Sequence, residues 1–280
     1  MPNLYCRPIN NLANRMMSIV SASRLAKLWG YDFKLIWDWG PETLFSNSFD
    51  ELFNNKINST NVFSLDAHIL YMPQKNINGR QFYSKPNSEI DVFLDGWAHL
   101  TLNDSDLIKS PGDITSELRN ELLNIFTPSN KVILCCNNLG YHDQSFDLGI
   151  HIRRGSSEFD SISDNNKILN YAINIINKKK LNSFFISSSD HNCADFFGYE
   201  LSKFGSCFVS RSYNNEPSFR NHAMAIYDLI FFSRCNDIIK TGATTYSSLA
   251  AILGQSILHT FTENGECFEH PALYSVGAGL

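Results

Sequence analysis

Short apolar runs alternate along this chain with longer apolar stripes at helical spacing. Leu4 to Cys6 reads as a strand, Arg7 to Asn11 as a turn, and the following residues to about Trp29 as a helix. Met16, Ile19, Val20, Ser23 and Ala26 recur one helical turn apart and mark its inward face. Gly30 is placed to stop it, because glycine takes the left-handed conformation that closes a helix. Phe33 to Trp37 is the next apolar strand. Strand, loop, helix and strand in that order open a parallel sheet.

The stretch from Asn47 to Pro111 shows few clean periods; Leu65 to Tyr71 and Val92 to Leu94 read as strands within it. Thr115 to Phe126 reads as a helix with Thr115 as its cap, closed by Thr127 and Pro128. Beyond that point the alternation is regular. Strands are expected at Leu148–Ile152, Phe184–Ser187, Cys207–Val209, Ile238–Lys240 and Ile257–Phe261. Helices are expected at about Asp164–Lys179, with the stripe Ile168, Leu169, Ala172, Ile173 and Ile176, and at Arg220–Ser233 and Thr245–Leu253. A repeated strand–helix unit predicts a doubly wound parallel sheet. The domains expected are 1–128 and 129–280.

Composition narrows the function. The chain of 280 residues is 43% hydrophobic, enough apolar material for two domain cores. Its formal net charge of −5 disfavours a general nucleic-acid binder, which needs a basic excess against phosphates. Seven cysteines without regular spacing, Cys135 and Cys136 adjacent, argue against a disulfide framework and for a reducing compartment. Met1 to Leu12 has no long apolar run, so neither a signal peptide nor an anchor is expected there. A cytoplasmic protein without a transmembrane segment is the expectation, and peripheral membrane attachment stays open.

Four segments carry candidate chemistry. His151-Ile152-Arg153-Arg154-Gly155 follows an apolar strand, and ligands of open α/β sheets bind beyond strand carboxyl ends. Arginine there offers a fixed charged fork for phosphate oxygens. Alternation turns His151 and Arg153 to one side and Arg154 to the other, and a solvated surface pair is the structural alternative. Ser187-Ser188-Ser189-Asp190 ends the next strand; it suits a ribose or base edge, or simply caps a helix. Thr241-Gly242-Ala243-Thr244-Thr245-Tyr246-Ser247-Ser248 leads from a strand into a helix, whose first amides with these hydroxyls form an anion site or an ordinary capped turn. It is neither a Walker loop nor a dinucleotide fingerprint. Asn11 to Arg15 lies at the first strand-to-helix turn, with Asn14 and Arg15 either facing a cleft or capping and solvating the turn. No metal is expected: Asp104-Ser105-Asp106 lies in a polar turn, and His142, His151, His191 and Cys193 lack paired zinc spacing.

In this order the segments resemble the fucosyltransferase superfamily: bacterial alpha-1,2- and alpha-1,6-fucosyltransferases and protein O-fucosyltransferases. That family's early GGLGNR-like turn reads NNLANR here, its HxRR reads HIRRG, and its small-small-Asp stretch is SSSD ending at Asp190. Its last segments read DLIFFSRC from Asp228 and GATTYSSLAA from Gly242. The resemblance covers the first helix and most of the C-terminal half.

It implies an α/β chain of two facing Rossmann-like domains (GT-B type), with parallel sheets and flanking helices. Residues 1–128 would form the acceptor side and residues 129–280 would bind the nucleotide sugar. It further implies an inverting, metal-independent transfer of fucose from GDP-fucose to a glycan acceptor, with no cofactor. On this likeness Arg153 meets the donor pyrophosphate, Asp190 the guanosine, and Thr244 and Thr245 phosphate. Asn14, Arg15, His151, Arg154 and Tyr246 complete the donor side. Asn11 and Ala13 replace family glycines, and Ser156 stands where an acid often follows HxRRG, so Glu158 or Asp160 is assigned as base. Another nucleotide sugar, or a non-catalytic sugar- or nucleotide-binding protein, are the rival readings.

Overall fold

The computed structural model describes residues 1–8, 11–37, 47–55, 57, 69–70, 75–77, 80–82, 85, 90–95, 111–154, 164–211, 218–242, 244–262 and 265–272. The chain forms two compact units that divide between Leu134 and Cys135, and Ser218 and Phe219 belong to the first. It is a mixed α/β protein with parallel sheets and flanking helices.

In the first unit β1 (Asn3–Arg7) pairs in parallel with β2 (Asp32–Leu35) and with β6 (Val92–Asp95), which pairs in parallel with β3 (Ile69–Leu70). Of the strand expected at Leu65 to Tyr71, only β3 lies within the described residues. A short antiparallel pair, β4 (Lys75–Ile77) and β5 (Arg80–Phe82), stands apart from this sheet. Helix α1 (Leu12–Trp29) starts at Asn11, whose side chain accepts the Asn14 N–H, and ends at Gly30 with φ 72°. Met16, Ile19, Val20 and Ala26 are buried as expected, but Ser23 is only half-buried, and burial extends to Ala13, Met17, Ser21 and Leu25. The helix has no wide polar face because β1 and β2 cover one side and α3 (Pro111–Ile125) another. Arg24 ties α1 to Glu117 of α3 at 3.3 Å.

Helix α3 begins at Pro111, not at Thr115, which lies a turn inside it and is buried. Proline fits a first helical turn because its missing N–H would have no partner there. Trp37, Phe49, Phe53 and Phe126 form an aromatic cluster with ring centroids 5.0 to 6.3 Å apart. It holds the one-turn helix α2 (Phe49–Leu52) in place, and α4 (Asn130–Asn138) runs on towards the second unit.

The second unit has β7 (Phe146–Ile152), α5 (Asn165–Lys179), β8 (Ser183–Ser188), α6 (His191–Leu201) and β9 (Ser206–Val209). Then come α7 (Phe219–Ser233), β10 (Cys235–Thr241), α8 (Thr245–Gly254), β11 (Ile257–Phe261) and β12 (Cys267–Pro271). The sheet order is β12-β11-β10-β7-β8-β9, parallel except for the antiparallel edge strand β12. That is the doubly wound dinucleotide-fold order, in which the strand order reverses between the first and fourth strands, here β7 and β10.

Leu148, Ile150, Ile152, Ile186, Ile239 and Phe261 point to one face and pack on Ile168, Ala172 and Ile176 of α5 and Ala194 and Phe197 of α6. Gly149 and His151 point to the other face, under Phe232 of α7 and Tyr246 of α8. The sequence pattern does not predict α2, α4, β4, β5 or β12, and it points to α6 only through the helix-cap alternative at Asp190. All seven cysteines are free thiols. Among the described residues no helix is long and apolar enough to cross a membrane.

Candidate functional site

The carboxyl ends of β7 and β10 meet at the reversal of strand order, and the crevice there is where this architecture binds ligands. β7 ends at Ile152, and the next residue is anchored sideways: the Arg153 N–H donates to Thr241 Oγ1 at 3.0 Å. Arg154 is anchored to the opposite neighbour. Its N–H donates to Ser189 Oγ at 2.6 Å, and the Ser189 hydroxyl donates back to the Arg154 carbonyl. The Arg154 guanidinium donates to Asn165 Oδ1 at 2.5 Å, at the start of α5. The backbone is therefore held to β10 at Arg153 and to the end of β8 at Arg154, and both arginines are half-buried. Gly155, Ser156, Glu158 and Asp160 lie outside the described residues.

At the end of β8, Asp190 is the N-cap of α6. Its carboxylate accepts from the N–H groups of Asn192 (2.9 Å) and Cys193 (3.4 Å), and it remains exposed. Ser188 Oγ accepts the Asp190 N–H. Ser187 is buried and donates to Asp228 Oδ2 at 3.3 Å, while Ser210, just beyond β9, donates to the same oxygen at 2.6 Å. Asp228, on α7, is completely buried.

After β10 the chain turns at Gly242, with φ 64°, and enters α8 at Thr244. Thr244 does not cap the helix with its side chain. Its hydroxyl bonds Ser247 Oγ at 2.6 Å, and Ser247 Oγ meets His151 Nδ1 at 3.1 Å. First-turn amides of a helix have no partner within it, so this terminus presents donors and partial positive charge to an anion. Thr245 and Tyr246 are half-buried, and the Tyr246 hydroxyl donates to the Ala225 carbonyl of α7. His151 is 4% exposed; burial above all, then the charges of Arg153 and Lys240, lowers its pKa to about 3. It is a neutral imidazole at any physiological pH. Ala243 lies outside the described residues.

Asn14 and Arg15 belong to the first unit. Arg15 is not solvated: it is fully buried, donates to the Trp37 carbonyl at 3.0 Å, and lies over the Trp37 ring at 5.0 Å. Asn14 is half-buried, its N–H given to Asn11. The second unit thus brings His151, Arg153, Arg154, Asp190, Thr244, Thr245 and Tyr246 to the carboxyl end of one sheet. Sequence reasoning missed Lys240 and Ser210. Lys240 lies in the apolar run Ile238–Ile239–Lys240, where a cation at a strand end suggests a solvated terminus, yet it is 4% exposed.

No family model and no curated protein matches the sequence. Solved structures do. Fucosyltransferase NodZ from Bradyrhizobium aligns over 97% of this chain and 99% of its own, with a TM-score of 0.65 at 14% identity. A mutant of Arabidopsis thaliana FUT1 in complex with GDP aligns over 96% of this chain and 74% of its own, with a TM-score of 0.61 at 13% identity. This chain has the fucosyltransferase fold. POFUT1 in complex with GDP-fucose extends the likeness, over 91% of this chain and 95% of its own, with a TM-score of 0.52 at 11% identity. A fucosyltransferase fold at such low identity is carried by element order and packing, with few residues in common.

Proposed function

We propose that this protein is a glycosyltransferase that moves fucose from GDP-fucose to a hydroxyl of a glycan acceptor, inverting the anomeric carbon without a metal. The observation that carries the reading is the β7–β10 crevice, where Arg153 is pinned by its backbone beside a helix start whose N-cap hydroxyl is engaged elsewhere. Breaking the sugar–phosphate bond builds negative charge on the leaving diphosphate. A guanidinium and first-turn amides held in place beforehand stabilise that charge without reorganising. In this reading Arg153 meets the pyrophosphate, Thr244 and Thr245 line the phosphate seat, and Arg154 and Tyr246 shape its walls. The exposed carboxylate of Asp190 is the acceptor for guanosine donors. His151, neutral and buried, supports the floor. Glu158 or Asp160 takes the acceptor proton. GDP-fucose as donor is supported by the resemblance in the order of HIRRG, SSSD and GATTYSS and by solved structures of like fold, among them complexes with GDP and GDP-fucose.

Thermal melting with GDP, UDP and ADP, with and without chelator, tests the donor. A ligand that binds only the native state raises the melting temperature. GDP is expected to do so, with or without chelator. A shift with UDP and none with GDP defeats the assignment, and fucosyl transfer or GDP-fucose hydrolysis that chelator abolishes defeats the metal-free mechanism.

A further inference from the structure

Lys240 is left without a task by that mechanism. It stands on β10 one residue before Thr241, beside His151 in the β7–β10 register, and is 4% exposed. Its Nζ donates to Ser248 Oγ at 2.5 Å, and among the described residues it forms no ion pair. A buried ammonium without a carboxylate is costly, and chains keep one where something else supplies the counter-charge. Among the described residues, the ionisable groups on this face of the sheet include His151 of β7, Arg153 just beyond it, Cys235 of β10, Tyr246 of α8, Asp228 of α7 with Tyr141 near it and, by register, His270 of β12. The one carboxylate among them, Asp228, receives the hydroxyls of Ser187 and Ser210. Burial lowers the Lys240 pKa to about 8, and among the described residues no anionic neighbour offsets it.

The hydrogen bonds show what the ammonium acts through. Lys240 donates to Ser248 Oγ, and the Ser248 hydroxyl donates to the Thr244 carbonyl at 3.0 Å. Ser247 links His151 to the Thr244 hydroxyl. Two buried chains thus converge on one residue, one gripping its carbonyl and the other its hydroxyl. With both oxygens held from below, Thr244 is fixed and its hydroxyl is kept away from the first-turn amides of α8.

We propose that Lys240 is a positioning residue that sets the Thr244 turn for an anion, and that a bound diphosphate supplies its missing counter-charge. The inference rests on the phosphate-binding half of the proposed function and goes beyond it, since it makes donor binding proton-linked. An anion at the end of β10 favours the ammonium over the amine. Above pH 8 binding must therefore draw a proton from solvent, and affinity falls by up to about tenfold per pH unit.

Calorimetric titration of the full chain with GDP and with inorganic pyrophosphate, at pH 7 and pH 9 in two buffers of different ionisation enthalpy, tests this. Expected are proton uptake at pH 9 and affinity at least about fivefold weaker than at pH 7. Lys240→Met keeps the aliphatic stem and removes the charge. It is expected to melt no lower than the parent, to bind either ligand more weakly at pH 7, and to show neither uptake nor pH dependence. Lys240→Gln takes its place if the Met variant does not fold. Parent binding without proton uptake overturns the proposal, and so does uptake that persists in the variants. Pyrophosphate binding with Lys240-dependent uptake but no GDP binding supports the inference and sinks the GDP-fucose reading. GDP binding with no uptake does the reverse, and binding of neither ligand overturns both.

Discussion

Arg153 makes two kinds of contact that mutation separates. Its N–H anchors the end of β7 to Thr241 whatever the side chain, so that anchor survives truncation. Its guanidinium, in the proposed mechanism, matters most as charge builds on the leaving diphosphate. Arg153→Ala is therefore expected to lower turnover by on the order of a hundredfold while the melting temperature stays within a degree or two. Arg153→Lys is expected to recover little, because a point charge lacks the planar fork. Turnover of GDP-fucose and melting on the same preparations decide this, and near-normal turnover in the Ala variant removes Arg153 from the site. Asp228 contrasts with it. It is fully buried and receives two hydroxyls, from Ser187 and Ser210, so its loss strands buried donors. Asp228→Ala is expected to cost about 2–3 kcal/mol in urea unfolding. A variant of unchanged stability that has lost GDP binding would place Asp228 in the site instead.

At the scale of elements, α6 shows how packing overrides local preference. Gly198 lies within this helix, where alanine would ordinarily gain about 1 kcal/mol. A Cβ at Gly198 would come within 2.6 Å of Val209 Cγ2 on β9, and a β-branched side chain has little room to turn away. Overpacking costs about 1–3 kcal/mol, so the clash outweighs the propensity. Gly198→Ala is expected to destabilise by roughly 1–2 kcal/mol in chemical denaturation; a stabilised variant would mean that α6 lies farther from β9. The glycine that admits the strand also blurs the helical pattern of His191 to Leu201, which is why only the cap alternative at Asp190 pointed to α6.

Over the whole molecule, two buried charges set opposite limbs of the stability–pH curve. Asp237 is 2% exposed; burial alone would raise its pKa, but hydrogen bonds from His259 and Lys179 hold it below the ordinary 3.8. The stability it contributes is present above that ordinary value and lost as pH falls below it. Lys240 runs the other way. With a folded pKa of about 8 against an ordinary 10.5, the unfolded chain binds more protons between those values. Its contribution to stability therefore rises with pH across that window. Urea unfolding from pH 3 to pH 10 is expected to show Asp237→Asn with a shallower acid limb and Lys240→Met without the alkaline rise. An unchanged alkaline limb in Lys240→Met would mean that the amine is solvated in the native state.

The sequence by itself determined what is local. The strand–helix alternation of Leu148 to Phe261, the stops at Asn11 and Gly30, and the placing of HIRRG, SSSD and GATTYSS at strand ends all follow from periods and caps set by neighbours in the chain. Alternation also separated Arg153 from Arg154, since successive strand residues turn to opposite faces. The tertiary structure alone decided what depends on distant partners. The burial of Arg15 rests on Trp37, and its capping-turn pattern reads the same whether or not that indole covers it. Thr115 looks like a cap until Pro111 starts the helix a turn earlier. Lys240 looks like a solvated strand end until α8 folds over it and Ser248 accepts its hydrogen bond. β12 gains its place only by pairing with β11 at the sheet edge, where four of its five residues are exposed and no apolar period is needed. Local conformation is encoded by near neighbours, whereas burial and charge environment are summed over the whole fold, and the candidate site is built from both.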